Sequence, residues 1–167
     1  MIYRAIGVNA ERQDLTIAFA EFHENAGSWT YALKANSALP SGTLHPGKLI
    51  NQFIDEKDLQ YKVALISVHT DVPDQTFNGA AIAAETKLPV ITDLSAMDQT
   101  LGGNGEFFIS TASKLQIQED ELNEVNKALC VAFMGVLRWR EEYNFLSSMT
   151  GASRNSIGGA VWLGQEA

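Results

Sequence analysis

The interpretation of the whole chain depends on one stretch, Ile91-Thr92-Asp93-Leu94-Ser95-Ala96-Met97-Asp98-Gln99-Thr100-Leu101-Gly102-Gly103-Asn104-Gly105. It continues a short apolar run from residue 88, and residues 88–92 predict a strand because they are apolar and β-branched. Ligands of open α/β sheets bind at the carboxyl ends of strands, so Asp93, Asp98 and the glycine-rich turn form a candidate site. A helix cap and an ordinary turn are alternative explanations of the same residues.

Composition limits the class of protein. A chain of 167 residues with 46% hydrophobic and 19% charged residues is long and apolar enough for one globular domain, which we predict to span residues 1–167. The formal net charge of −8 argues against binding to nucleic acid or anionic membranes, which requires faces rich in Lys and Arg. No nucleic-acid partner and no membrane partner are therefore expected.

The chain also carries signals about its compartment. Cys130 is the only cysteine, so an intrachain disulfide cannot form. The first residues enter a strand pattern without a signal-peptide pattern, and no apolar run approaches the length of a membrane span. These features predict a cytoplasmic protein.

Hydrophobic periodicity divides the chain into alternating elements. Three strands with short turns are predicted at residues 2–8, 15–22 and 28–36, and breaks at 40–42 and 46–47 follow. The pattern then predicts a helix before residue 58, a strand at 62–68, an alanine-rich helix at 79–86 and the strand at 88–92. An amphipathic helix is predicted at 119–139, and a last strand at 157–163. Residues 107–110 are either a short strand or an apolar plug.

This order predicts an α/β fold with a ribonuclease-H-like motif. The expected sheet is mixed, with an antiparallel three-strand meander and flanking helices. The same motif underlies nucleases and the lobes of sugar kinases and actin-type ATPases, so the fold alone does not choose between these activities.

Several sequence blocks resemble the anhydro-N-acetylmuramic acid kinases of peptidoglycan recycling. Residues 84–93 resemble that family's Ala-Glu-Thr-Gly-Leu-Pro-Val-Val-x-Asp segment. Asp98 with residues 101–105 resembles its Asp-Val-Ala-x-Gly-Gly-Gln-Gly segment, and residues 150–154 resemble its Thr-Gly-Ala-Ser-Arg tail. The resemblance implies a kinase that phosphorylates a 1,6-anhydro amino sugar with ATP while water opens the ring.

The resemblance also implies roles for individual residues. Asp98 matches the family's general base, which takes a proton from the attacking water. Asp93 matches the strand-end Asp beside this base, and His69 lies where the family carries a Ser-His-Gly-x-Thr segment. The resemblance implies that these two residues bind substrate together with Gly102 and Gly103. From the residues alone, His69 at a strand end is a structural, hydrogen-bonded histidine more often than a base or a metal ligand.

Two departures from the family pattern lower the expected activity. The family's phosphate loop is replaced by Val8-Asn9-Ala10-Glu11-Arg12-Gln13-Asp14, which has no Gly, Ser or Thr to cradle phosphate. Most of the second lobe, which closes over the nucleotide, is missing between residues 105 and 119. The resemblance therefore implies a truncated, kinase-inactive domain with no cofactor and no metal, which still binds an amino sugar or a partner subunit. A homodimer is expected, since the surface left by the missing lobe must be covered.

Two alternatives remain open at this stage. The first is an active kinase that uses Mg-ATP through a partner chain or a substitute phosphate site. The second, more remote, is a metal-dependent nuclease, whose chemistry requires clustered carboxylates around two metal ions. The first strand has no Asp or Glu at the position where that cluster would need one.

Overall fold

A six-stranded mixed sheet organises the chain. The computed structural model describes residues 1–11, 14–40, 45–71 and 77–164. The strand order is β3-β2-β1-β4-β5-β6. The β1–β2, β2–β3 and β5–β6 pairs are antiparallel, and β1–β4 and β4–β5 are parallel. The strands are β1 (Ile2–Glu11), β2 (Asp14–Asn25), β3 (Ser28–Pro40), β4 (Leu65–Thr70), β5 (Val90–Thr92) and β6 (Ala160–Trp162).

The first three strands are longer than the sequence pattern predicts. The polar run from Asn9 was expected to form a turn, but β1 continues to Glu11, which pairs with Asp14 at the start of β2. Asn9 is 1% exposed. Glu11 forms an ion pair with Lys127 at 3.2 Å. Tertiary contacts thus keep polar residues inside the strand. Residues 12 and 13 of the expected turn, and the break at 41–42, lie outside the described residues.

Six helices flank the sheet within the described ranges. They are α1 (Pro46–Glu56), α2 (Gly79–Thr86), α3 (Ala96–Thr100), α4 (Phe108–Lys114), α5 (Glu124–Trp139) and α6 (Ser147–Thr150). The bounds of α2 are those predicted. The long helix starts five residues later than predicted, because Asn123 caps it by accepting a hydrogen bond from the Asn126 amide at 2.8 Å. Residues Glu119–Glu121 form a separate 3-10 turn.

Two apolar cores lie on the two faces of the sheet. One face packs against α5 and α4, and the other packs against α1 and α2. All ten residues from Ala128 to Leu137 are buried, although the sequence indicated a one-sided stripe. Phe107, Leu115 and Ile117 belong to the same apolar cluster as these α5 residues. Burial raises the pKa of the Cys130 thiol to about 12, which leaves this cysteine a packing residue.

Gly7 of β1 permits the close approach of α5. A Cβ atom at this position would overlap the Ala128 carbonyl oxygen and lie 2.6 Å from the Ala132 amide nitrogen. The predicted class, a mixed sheet with an antiparallel meander and flanking helices, is confirmed. In the described ranges, no helix combines the length and the apolar character needed to cross a membrane.

Candidate functional site

The carboxyl ends of three neighbouring parallel strands lie at one edge of the sheet. They are Glu11 of β1, Thr70 of β4 and Thr92 of β5. The chain leaves β1 toward β2 on one side, whereas β4 connects through α2 to β5 on the other side. This arrangement is a topological switch point, and ligands of open α/β sheets bind in the crevice that it creates.

An open cavity lies at this edge, and we call it the strand-end cleft. Its volume is about 490 Å³. It is lined by the ends of β4 and β5, the start of α3 and the loop before α4: Val68, His69, Thr70, Asp71, Phe77, Thr92, Asp93, Leu94, Ser95, Ala96, Gln99 and Gly105. The lining combines aromatic rings, hydroxyl groups, an amide and two carboxylates, which is a mixture typical of small-molecule sites.

Asp93 is held in a defined orientation in the cleft. The Trp162 indole nitrogen donates to the Thr92 hydroxyl at 3.0 Å, and that hydroxyl donates to Asp93 Oδ2 at 2.9 Å. The Asp93 backbone adopts a left-handed conformation with φ 55°. A Cβ atom on Gly79 would overlap the Trp162 indole, so this glycine lets the indole reach Thr92.

Asp98 lies in a different environment, although it is only five residues away. Its side chain is 0% exposed, and it does not line the cleft. Thr150 Oγ1 donates to Asp98 Oδ1 at 2.7 Å, and the Gly105 amide donates to Oδ2 at 2.9 Å. A Cβ atom on Gly103 would overlap the Asp98 carboxylate. The carboxylate therefore ties the loop that follows α3 to the Thr150 segment.

Of the five residues predicted for the site, the structure brings Asp93 and His69 together in the cleft. Asp98 lies in α3, and Gly102 and Gly103 lie in the loop that follows α3; none of the three lines the cleft. Gly102 has φ 91° and open space around it. The loop is fastened to the cleft by Ser95, whose hydroxyl donates to the Gly105 carbonyl at 2.7 Å.

His69 is half-buried against two phenylalanine rings. Its ring meets Phe107 and Phe108 edge-on, with centroid distances of 5.0 and 5.6 Å. Burial lowers the pKa of the imidazole, while the nearby charges of Asp71, Glu11 and Glu106 oppose that shift. His69 is therefore a neutral ring at pH 7, able to donate one hydrogen bond and accept another.

Residues 107–110, expected as a strand or an apolar plug, include the first turn of α4. Phe107 is 2% exposed and packs on Phe108, with ring centroids 4.5 Å apart. Neither ring lines the strand-end cleft, whereas Asp93 does.

The described residues do not provide a metal centre. The fold class includes two-metal nucleases, but no group of three or more His, Cys, Asp or Glu in the described ranges could hold an ion. On β1 the buried polar residue is Asn9, whose Nδ2 donates to Glu11 Oε1 at 3.2 Å. Lys127 Nζ lies 3.2 Å from each Glu11 oxygen, so a cation already neutralises this carboxylate. Metal-dependent hydrolysis does not fit these residues.

Comparison with known proteins identifies the fold but no family. No protein-family model and no curated protein matches the chain. The Thermus thermophilus RuvC structure matches with 17% identity and a TM-score of 0.54, covering 84% of this chain and 96% of that chain. The fold is ribonuclease-H-like. The structure of T. thermophilus RuvC in complex with Holliday junction substrate matches at 15% identity, a TM-score of 0.52 and the same coverage.

These findings correct the kinase interpretation. The two similar structures named above are both RuvC chains, and no protein-family model matches, so the identification with anhydro-N-acetylmuramic acid kinases is wrong. The pseudokinase function, the amino-sugar ligand and the active-kinase alternative with Mg-ATP are withdrawn with it. The resemblance rested on short blocks, and those at 84–93 and 98–105 follow the strand and turn chemistry of this sheet edge.

The exclusion of nucleic acid is corrected as well. It rested on the net charge of −8, but one of the similar structures is a complex with a DNA junction. Net charge is a sum over the whole surface, and it does not determine what a single cleft contacts.

Sequence reasoning missed Thr92, Trp162, Thr150 and Asn9 as site residues. The partners Thr92–Trp162 and Asp98–Thr150 are 70 and 52 residues apart, and no periodic signal connects them. Asn9 could have been noticed as an amide in an otherwise apolar strand.

Proposed function

We propose that the chain binds nucleic acid in the strand-end cleft without cleaving it. The proposal is carried by one observation, an open cleft of about 490 Å³ at the switch point of a ribonuclease-H-like sheet. RuvC, which has this fold, has been solved with a Holliday junction, so nucleic acid is the first ligand class to test. We further propose that residues 1–167 act as one domain, and we retain the cytoplasmic location as a prediction.

The lining of the cleft favours unpaired bases over the sugar–phosphate backbone. Phe77 and His69 offer flat rings against which a base can stack. Asp71 and Asp93 repel phosphate but accept hydrogen bonds from the N–H groups of bases. Single strands, whose bases are unpaired, and junctions, whose crossover interrupts the continuous base stack, are therefore the expected ligands, and an intact duplex is not.

The described residues near the cleft support binding without cleavage. Hydrolysis by two metal ions requires clustered carboxylates, and the described residues hold no such group. The nearest carboxylate on β1, Glu11, is paired with Lys127. We therefore propose binding without cleavage, and one assay can test both.

The experiment measures fluorescence anisotropy with a labelled four-way junction, a single strand and a duplex. Each is titrated in EDTA, in Mg²⁺ and in Mn²⁺, and the samples are then run on denaturing gels. We expect binding to the junction and the single strand, with intact strands under every condition. Failure of all three ligands to bind would overturn the proposal, and metal-dependent cleavage would instead support the nuclease alternative.

A pair of matched variants locates the binding site. Ala96 is exposed and lines the cleft, so Ala96→Trp fills the cleft with little risk to the fold. Ala84 is also exposed, on α2, but does not line the cleft, and Ala84→Trp is the control. We expect Ala96→Trp to weaken binding at least roughly tenfold, because a filled pocket excludes the base that stacks there. Equal binding by the two variants would place the nucleic acid elsewhere on the surface.

A further inference from the structure

We propose that the strand-end cleft is a pocket for an unpaired guanine base, which the Asp93 carboxylate recognises. This inference rests on the proposed function and adds the identity of the base. Three features carry it: the fixed orientation of Asp93, the size and aromatic wall of the cleft, and the negative charge at its rim.

The hydrogen bonds behind Asp93 have only one possible direction. An indole N–H can only donate, so the Thr92 hydroxyl accepts from Trp162 and must turn its own hydrogen toward Asp93 Oδ2. No described residue donates to Asp93 Oδ1. The carboxylate is therefore held in place at one oxygen and keeps Oδ1 and a lone pair of Oδ2 for a ligand.

The cleft has the dimensions and walls of a base pocket. Its volume of about 490 Å³ lies within the usual range of small-molecule sites, roughly 300–1,000 Å³. The half-buried rings of Phe77 and His69 provide apolar surface, and Gln99 adds a polar side chain to the lining. Proteins that capture an extruded base read its Watson–Crick edge by hydrogen bonds while aromatic rings stack on its face.

The arrangement of acceptors selects guanine among the bases. Guanine presents N1–H and the N2 amino group side by side, and these two donors match the two oxygens of one carboxylate. Adenine and cytosine place an acceptor nitrogen next to their amino group, and that nitrogen would face the second oxygen. Thymine and uracil flank their single N–H with carbonyl groups, which a fixed carboxylate repels.

The charge at the rim separates base recognition from phosphate binding. Asp71 and Glu106 are exposed near the cleft, and their charges reach His69. A phosphate on the bound nucleoside would approach these carboxylates at a cost. We therefore expect an uncharged nucleoside to bind at least as well as its monophosphate.

The decisive probes are guanosine and inosine, which differ only in the N2 amino group. Isothermal titration of the intact protein is expected to give at least roughly tenfold weaker binding for inosine, because one hydrogen bond to a charged acceptor is lost. Adenosine and cytidine are expected to be weaker again. Equal affinity for guanosine and inosine, or a preference for another nucleoside, would overturn the inference.

Variants at Asp93 complete the test. Asp93→Asn replaces an acceptor with an amide, and Asn tolerates the left-handed backbone at this position. It should remove the preference for guanosine over inosine, whereas Asp120→Asn, an exposed carboxylate outside the cleft, should keep it. Retention of the preference by Asp93→Asn would contradict the assignment.

The nucleoside titrations test the guanine inference, and the oligonucleotide titrations test the proposed function, so the two proposals can be rejected independently. If oligonucleotides bind in the cleft but guanosine has no advantage over inosine, the guanine inference fails and the proposed function stands. If no nucleic acid binds, the proposed function fails, and the guanosine titration still decides what the pocket accepts.

Discussion

At the scale of single residues, Asp98 shows what a buried carboxylate requires. Its two oxygens are satisfied by the Thr150 hydroxyl and the Gly105 amide, in a position with no exposure to water. A charge in such a place is tolerated only when donors surround it. These contacts fit a structural role, in which Asp98 holds the loop after α3 in place. Asp93, in contrast, lines the strand-end cleft, which a ligand can enter.

We predict that Thr150→Ala lowers the free energy of unfolding by about 1–3 kcal/mol, because it removes a donor from a buried charge. Thr150→Ser keeps the hydroxyl and should cost less. Urea denaturation followed by far-UV circular dichroism measures both. Equal stability of Thr150→Ala and the wild type would show that the hydrogen bond does not contribute to folding.

His69 leads to a prediction about pH. Burial lowers the pKa of its imidazole below the ordinary value of 6.5, so the unfolded chain takes up the proton first as the pH falls. The stability contributed by the neutral ring is complete above about pH 6.5 and is lost as the pH drops through the lower pKa of the folded state.

His69→Gln should therefore reduce the loss of thermal stability between pH 7 and pH 5. Differential scanning calorimetry at several pH values measures the effect, and the imidazole signals in NMR spectra report the titration directly. An unchanged pH dependence in His69→Gln, or a His69 titration above pH 6.5, would contradict the prediction.

At the scale of elements, the contact between β1 and α5 depends on Gly7. The helix backbone comes so close that a Cβ atom would overlap the Ala128 carbonyl oxygen. The same side of the sheet also carries Ser67, whose Cβ lies 2.6 Å from the position of a Cβ on Gly135. Small residues on both partners thus set the distance between helix and sheet.

We predict that Gly7→Ala destabilises the fold by more than about 3 kcal/mol, since backbone atoms on both sides must move. Gly102→Ala is the comparison, because Gly102 has open space and only its φ of 91° opposes a side chain. Its expected cost is about 1 kcal/mol. Chemical denaturation measures the free energy of unfolding of both variants. A larger loss of this free energy in Gly102→Ala than in Gly7→Ala would refute the prediction.

At the scale of the whole molecule, one sheet joins elements from both ends of the chain. β6, near the carboxyl terminus, pairs with β5, and α5 packs against β1, β2 and β4. We predict a single cooperative unfolding transition, in which tryptophan fluorescence and far-UV circular dichroism coincide. Two separate transitions would show that the chain holds two independent folding units.

The acidic surface leads to a prediction about salt. The salt dependence is measured as the slope of the logarithm of the association constant against the logarithm of the salt concentration. If the cleft contacts bases and at most about two phosphates of a single strand, this slope is expected to be shallower than about −1.4. Anisotropy titrations across a range of salt concentrations measure this slope. A much steeper dependence would indicate a basic phosphate-binding face that the proposed function does not include.

The sequence by itself determined the order and type of the main elements. The three initial strands follow from alternation, α2 from its alanine-rich composition, and α5 from its apolar spacing, and all of these are local signals. It also placed Asp93 at the end of a strand. It misjudged the end of β1, because Asn9 is buried and Glu11 pairs with Lys127, 116 residues away, and local patterns reveal neither contact. It also misjudged the start of α5, because the acidic run at 119–121 was included in the helix although the cap at Asn123 is a local signal.

Only the tertiary structure separated the two aspartates of the opening stretch. Asp98 is buried and holds the loop after α3 in place because the Thr150 hydroxyl, 52 residues away in the sequence, donates a hydrogen bond to it. Asp93 became an oriented acceptor because Trp162 reaches Thr92 across 70 residues. Such long-range pairs depend on how the whole sheet closes, and a periodic pattern carries no information about them. The chemistry of this sheet edge was therefore decided by packing, whereas its location was already present in the sequence.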